Sequence, residues 1–182
     1  MRTTIALIGL ALLAYAVWMF NRLVRDRNQV RAAWSDVDVQ LQRRHDLVPA
    51  LVESVRGYAT HESGLLERIT AERSAAQAAP GIAARGPIET ALGFDLSRLL
   101  LLAEAYPDLK ASANFAQLST ELVEVEDAIQ HARRFYNGSV RDFNTHIERF
   151  PDLIVARAFG FVPSEFFAAE ADAAATPQVA LD

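Results

Sequence analysis

Ala111, Phe115, Leu118, Leu122, Val125, Ile129, Ala132, Tyr136, Val140, Phe143 and Ile147 are spaced 4-3-4-3-4-3-4-4-3-4 along the chain. Side chains three and four residues apart share one face of a helix. The run therefore predicts a single helix of about forty residues, packed along its whole length. Pro151 stops it. A stripe that long needs other helices to cover it, and the rest of the chain has the pattern to supply them.

Val30, Trp34, Val37, Leu41, Val48, Val52, Val55 and Ala59 form a second stripe, interrupted at Pro49. A proline inside a helix removes one backbone hydrogen bond and crowds the preceding turn, so a kink is expected near 45–49. Asp46 could instead cap a new helix there. A further helix is expected from Ser63 to Ala79, with Ser63 as its cap, unless this segment extends the one before. "AAPGIAARGP" at 78–87 reads as a loop, with two Pro and two Gly among alanines. Ile88, Leu92, Leu96, Leu99, Ala103 and Tyr106 predict a helix ended by Pro107. After Pro151, Asp152 is a cap candidate and Gly160 a helix stop. The Ala-rich, acid-dotted stretch after Phe167 reads as disordered.

No segment alternates like a strand. The predicted fold class is all-α: an antiparallel long-helix bundle of about four helices following an N-terminal transmembrane helix. The corresponding division is a short N-terminus and anchor at 1–20, a helical bundle at 21–168 and a tail at 169–182.

The anchor follows from where the apolar residues lie. They make up 51% of the 182 residues and crowd the start, where Thr3 to Phe20 carries no charge. About 18 apolar residues approach the lower limit for a membrane span. Tyr15 and Trp18 stand near its far end, where amphipathic rings suit the lipid–water interface. Arg22, Arg25 and Arg27 follow, against Arg2 alone before the stretch. That bias places the helical domain in the cytoplasm and the N-terminus outside. A cleaved signal peptide is the rival reading, since "AYA" at 14–16 resembles a cleavage site. The single charge before the stretch and the apolar "VWMF" after the site argue against it.

The net charge of −5 disfavours a nucleic-acid surface of the basic kind, and the absence of Cys excludes disulfides, thiolate metal sites and Cys nucleophiles. A carboxylate-bridged di-metal centre needs Glu-x-x-His pairs. Gln42, Tyr58, Ala128 and Phe143 stand three residues before His45, His61, His131 and His146, so the motif is missing. "HESGL" at 61–65 lacks the second His of a zinc-protease helix. Asp127 with His131, and Asp142 with His146, have i,i+4 spacing, which suits surface charge pairs. Ser139 follows Gly138 with no implied base. No catalytic, cofactor-binding or metal-ligating residue is assigned, and no cofactor is expected.

The polar residues beside the long stripe are more informative. Gln130, Arg134, Asn137, Arg141, Asn144 and Glu148 step 4-3-4-3-4. Asp36, Asp38, Arg43, Arg44, His45 and Asp46 form a comparable set on the first helix. If the two helices are antiparallel neighbours, Asp36, Asp38, Arg44 and Asp46 can meet Arg134, Asn137, Arg141 and Asn144 in an interhelical polar network. The plain alternative is two separate solvated faces. Gly138, a poor helix former, is expected where another backbone comes close.

These stretches resemble a known family. "AAWSDVDVQLQRRHDLVPALVESVRGYATHE" at 32–62 looks like the first signature of the LemA family. "LAEAYPDLKASANFAQLSTELVEVEDAIQHARRFYNGSVRDFNTHIERFP" at 102–151 resembles the second, and "FGFVPSEFF" at 159–167 the closing segment. His45 departs from the pattern, standing where an aromatic is common, and the 78–87 linker is short. The resemblance spans about 21–168. It implies a membrane anchor with a short outward-facing N-terminus and a bundle of about four helices. It implies no catalytic activity. Some relatives occur in specialised bacterial membranes such as those around magnetosomes.

Three functions are consistent with these readings. The first is a membrane-anchored, non-enzymatic interaction or scaffold component of the bacterial cell (inner) membrane, touching the lipid bilayer and a protein partner or a second copy. The second is a metal-binding or enzymatic domain using His61, Glu62, Tyr106 and the Asn–Arg stripe. The third is a lipid or envelope sensor reading the membrane through Arg22, Arg25 and Arg27.

Overall fold

The structure is a computed structural model that describes residues 1–58 and 62–167. His61 and the tail at 169–182, expected to be disordered, lie outside the described residues. Among the described residues there is no strand, and six helices follow one another: α1 (Arg2–Arg56), α2 (Ser63–Ala78), α3 (Ile82–Ala103), α4 (Pro107–Lys110), α5 (Ala113–Glu148) and α6 (Asp152–Ala158). The fold is an all-α antiparallel bundle built on two long helices. The chain divides into two compact units. One contains Met1–Asp38 and His131–Glu165; the other contains Val39–Gln130 with Phe166 and Phe167. Helices α1 and α5 contribute a segment to each.

In the first unit the two long helices run antiparallel, with Arg22 of α1 beside His146 of α5 and Trp34 beside Tyr136. Its core comprises Met19, Leu23, Val30, Ala33 and Val37 of α1, then Tyr136, Val140, Phe143 and Ile147 of α5, and Val155 and Ala156 of α6. Removing each large apolar side chain from water contributes about 1.5–3 kcal/mol. Two polar side chains of α5 fasten the chain that follows α6. The Tyr136 hydroxyl donates to the Glu165 carbonyl at 2.7 Å, so its polar tip is satisfied while its ring is buried. Asn144 donates through Nδ2 to the Ser164 carbonyl at 2.9 Å and accepts from the Ser164 N–H at 2.8 Å.

Helix α6 stops as its sequence suggests. Gly160 has φ +68°, and the Phe161 N–H reaches back to the Ala156 carbonyl at 2.9 Å. The Gly160 N–H lies 3.4 Å from the Arg157 carbonyl, completing a Schellman motif that satisfies the last carbonyls. Asp152 does not cap α6. Pro151 holds the cap position without a side-chain bond, and Asp152 is the buried first helical residue, reached by Arg149 at 3.3 Å.

In the second unit α1 and α5 are again antiparallel, with Ser54 against Asn114 and Arg44 against Glu126. Helices α2 and α3 pack together and close the core around Leu51, Val55, Ile69, Leu92, Leu99 and Leu122. Helix α1 neither ends nor restarts at Asp46, because it continues through Pro49 to Arg56. Helix α2 is a separate element. Glu62 holds its cap position without a side-chain bond, and Ser63 is its first helical residue.

The expected 78–87 loop shrinks to 79–81. Gly81, at φ +83°, makes the reversal, and the alanines after it extend α3 backwards so that Pro87 lies within the helix. Pro87 there leaves the Ala83 carbonyl without its helical amide and crowds the preceding turn. At the other end α3 stops at Ala103, and the N–H groups of Glu104, Ala105 and Tyr106 each bond the carbonyl three residues back. Pro107 opens the short α4, where a missing N–H costs nothing.

Candidate functional site

Helix α1 carries Val37, Leu41, Val48, Leu51, Val52 and Val55 in its core. Between Leu41 and Val48 the inward positions fall to Arg44 and His45, both fully buried. On α3 the core register Leu92, Leu96, Leu99, Ala103 extends back one turn to Glu89, also buried. Charged side chains thus occupy core positions on two helices, and they meet.

Arg44 donates through one terminal nitrogen to both carboxylate oxygens of Glu126 on α5, at 2.9 and 3.2 Å. Its other terminal nitrogen donates to the Glu89 carbonyl at 2.9 Å and forms an ion pair with the Glu89 carboxylate. His45 Nε2 lies 3.1 Å from Glu89 Oε1, and Arg85 Nε donates to the same oxygen at 3.0 Å. Burial pushes the Glu89 carboxyl upward. The hydrogen bond from His45, the Arg44 charge and the Arg44 hydrogen bond outweigh it and hold the pKa at about 2. Glu89 is therefore a carboxylate at neutral pH. Two guanidiniums face two carboxylates, which leaves the cluster balanced. Arg44 Nε and His45 Nδ1 are buried without a hydrogen-bond partner.

Such a cluster adds little net stability compared with apolar residues of the same size. Losing one member is costly, because it strands a buried charge. The arrangement therefore specifies which residues of α1, α3 and α5 lie opposite one another. A backbone detail extends this to α2. Pro49 has no N–H to offer the carbonyl four residues earlier, that of His45. Arg73 Nε on α2 donates to that carbonyl instead, at 2.7 Å. Nearby, Arg68 donates to Asp95 at 2.9 Å. Burial and then the Asp95 charge raise the Glu72 carboxyl, against the opposing pull of Arg68.

In the first unit the side chains just past the apolar stretch form a second chain of contacts. Tyr15 stacks on Trp18 with ring centroids 5.9 Å apart, and Arg22 lies 5.8 Å over the Trp18 ring. Arg22 also bonds His146 Nε2 at 2.6 Å, and His146 Nδ1 bonds Asp26 at 2.8 Å. A guanidinium can only donate, so Nε2 accepts and Nδ1 carries the proton given to Asp26. His146 thus pairs with Asp26 across the helices, although Asp142 one turn earlier had the spacing of a pair. Asp26, Gln29, Phe135, Ser139, Asp142 and His146 line a cavity of about 310 Å³. Among the described residues no group of three or more His, Asp or Glu is placed to hold a metal ion. Arg27 lies 5.0 Å over the Phe161 ring, and Arg25 is exposed.

The residues of the expected polar network have varied surroundings. Arg44 is buried with Glu89 and Glu126, two acids outside the expected network. Asp46 accepts from Gln42 of its own helix at 2.8 Å. Arg134 bonds His131, one turn away, at 2.8 Å. Asn144 holds Ser164 as described. Asp38 and Asn137 are both engaged, and Asp36 and Arg141 are exposed.

These features define a class: an all-α protein whose exposed apolar N-terminal helix continues without a break into a bundle keyed by buried ion pairs. The LemA family profile matches residues 33–181, and the chain belongs to the LemA family. It is 34% identical over 139 residues to Protein LemA of Metamycoplasma hominis, covering 75% of this chain and 63% of that one. It is 26% identical over 187 residues to Magnetosome protein MamQ 2 of Paramagnetospirillum magneticum, covering 86% of this chain and 67% of the relative. Magnetosome protein MamQ of Magnetospirillum gryphiswaldense is 26% identical over 178 residues, covering 81% and 64%. The chain thus spans a little under two thirds of the length of the Metamycoplasma relative.

Proposed function

We propose that this chain is a single-pass, membrane-anchored helical-bundle protein with no catalytic role. In this reading it serves as an interaction or scaffold component of the bacterial cell membrane, with its N-terminus outside and its bundle in the cytoplasm. The observation that carries the reading is the contrast within α1. One 55-residue helix begins with about seventeen residues whose apolar side chains touch no core, Ile5, Leu10 and Leu13 among them. The same helix then supplies core residues from Met19 onward. A bilayer is the natural cover for the first part. Arg22, Arg25 and Arg27 favour the cytoplasmic side for the second. Exposed Phe94, Leu101 and Val123 give the bundle apolar contact points for a partner or a second copy.

The absence of cysteine makes the test direct. Val123→Cys in the full chain should resist a membrane-impermeant maleimide in spheroplasts and react after permeabilisation. Labelling of intact spheroplasts would reverse the proposed orientation. A photo-crosslinker at Phe94 or Leu101, used in the native membrane, should yield a discrete adduct with a partner or a second copy. Adduct-free protein at both positions would count against the scaffold role.

A further inference from the structure

We propose that the segment around α6 is a second membrane-contact element, lying at the boundary of headgroups and acyl chains in the leaflet where the anchor emerges, with its apolar side chains on the acyl side. This rests on the anchor reading above and adds a lipid-binding surface to it. Eighteen helical residues from Thr3 to Phe20 rise about 27 Å, close to the thickness of a hydrocarbon core. Phe20 therefore sits at its edge.

The Phe20 ring lies 4.7 Å from the Phe159 ring and 5.9 Å from the Phe161 ring. A residue held that close to Phe20 cannot be far from the same boundary. The surface presented there is apolar beyond what a water-facing turn needs. Phe150 is 76% exposed, Ile154 61%, Phe159 64% and Val162 71%. They cluster on a short helix and its flanks within one compact unit. Arg25 and Arg157, also exposed, add positive charge suited to anionic headgroups, offset by exposed Glu148 and Glu165.

Continuity with the anchor decides the occupant. A protein partner at this surface would have to share the headgroup layer, whereas lipid is already there. Exposed aromatic and aliphatic side chains beside basic ones are the composition of interfacial segments. The Schellman turn at Gly160 and the Asn144 clamp on Ser164 hold the surface in place from behind. Its lipid contact thus needs no ordering of a loose loop.

Single cysteines at Ile154 and Val162 of the full chain, carrying nitroxide labels, test the idea in phosphatidylcholine vesicles containing phosphatidylglycerol. Leu10→Cys reports the anchor and Glu53→Cys a water-exposed reference. Collision with oxygen should dominate over collision with a nickel chelate at positions 10, 154 and 162, and the reverse should hold at 53. Oxygen dominance at 10 with nickel access at 154 or 162 overturns the proposal and leaves the anchor standing. Labels at 154 and 162 shielded from both reagents would report a covering protein segment and overturn it equally. Nickel access at position 10 removes the anchor and the proposal together.

Discussion

Replacing Glu89 by Gln keeps the shape of the side chain and removes its charge from a buried site. The consequence follows from the geometry. The folded protein holds this carboxyl at a pKa of about 2 against an ordinary value of 4.5. A difference of that size corresponds to about 3 kcal/mol of stability linked to the ionised form. The sign is that of a carboxylate favoured by folding. The contribution is complete above pH 4.5, declines as the pH falls towards 2, and is gone below it. At neutral pH the substitution also leaves Arg44 and Arg85 with Glu126 as the cluster's remaining carboxylate. The expected loss is therefore about 3 kcal/mol, or roughly 6–12 °C in Tm for a chain of this length. The assay is urea or thermal unfolding of the full chain in detergent micelles, read by circular dichroism across a pH series. The two proteins should differ most at neutral pH and converge as the pH approaches 2. A neutral-pH loss below about 1 kcal/mol, or a gap that persists unchanged into strong acid, would refute the reasoning.

Gly138→Ala should stabilise the protein by about 1 kcal/mol, since a Cβ there meets nothing within 4 Å; an unchanged or lower Tm would contradict this. Gly93→Ala should do the opposite, costing about 1–3 kcal/mol, because its Cβ would lie 3.0 Å from the Arg44 nitrogen that bonds both carboxylate oxygens of Glu126. Wild-type unfolding of that variant would show that the cluster can shift. Asn144→Ala removes both bonds to Ser164 and should cost about 2 kcal/mol, with faster hydrogen exchange at the Ser164 amide. Asn144→Asp keeps the acceptor for that amide and should retain most of its protection.

The long helices were legible because their apolar residues repeat over many turns, as Phe115 to Ile147 do. Boundaries set by one or two residues were not. The Gly and Pro residues at 78–87 have the composition of a loop, yet Pro87 lies inside α3, where the strong helix formers Ala83 and Ala84 offset the bond it removes. Gly138 suggested a close backbone contact, but the structure leaves open space there. The buried cluster does leave a signal in the sequence. The first helix's stripe jumps seven residues from Leu41 to Val48, and Arg44 and His45 fill the gap. Glu89 lies three residues before Leu92, in register with Leu96 and Leu99. A charge standing on a core stripe is the trace of a buried pair when a second helix shows the opposite charge in the same place. Glu126 was harder to find, since it flanks its stripe and one strand of text does not tell a flank from a surface.

Pro49 shows how a missing group can act as an address. Along a regular helix each interior carbonyl already accepts from the helix's own amide, so a long side chain that reaches it finds only a second lone pair, as Arg44 does at Glu89. Deleting one amide opens a single socket at the His45 carbonyl, and Arg73 plugs into it. The match fixes where α2 lands to within one residue, a task that apolar packing performs loosely because neighbouring turns look alike. Proline and arginine thus work as lock and key: restoring an amide at position 49 would close the socket and leave Arg73 searching.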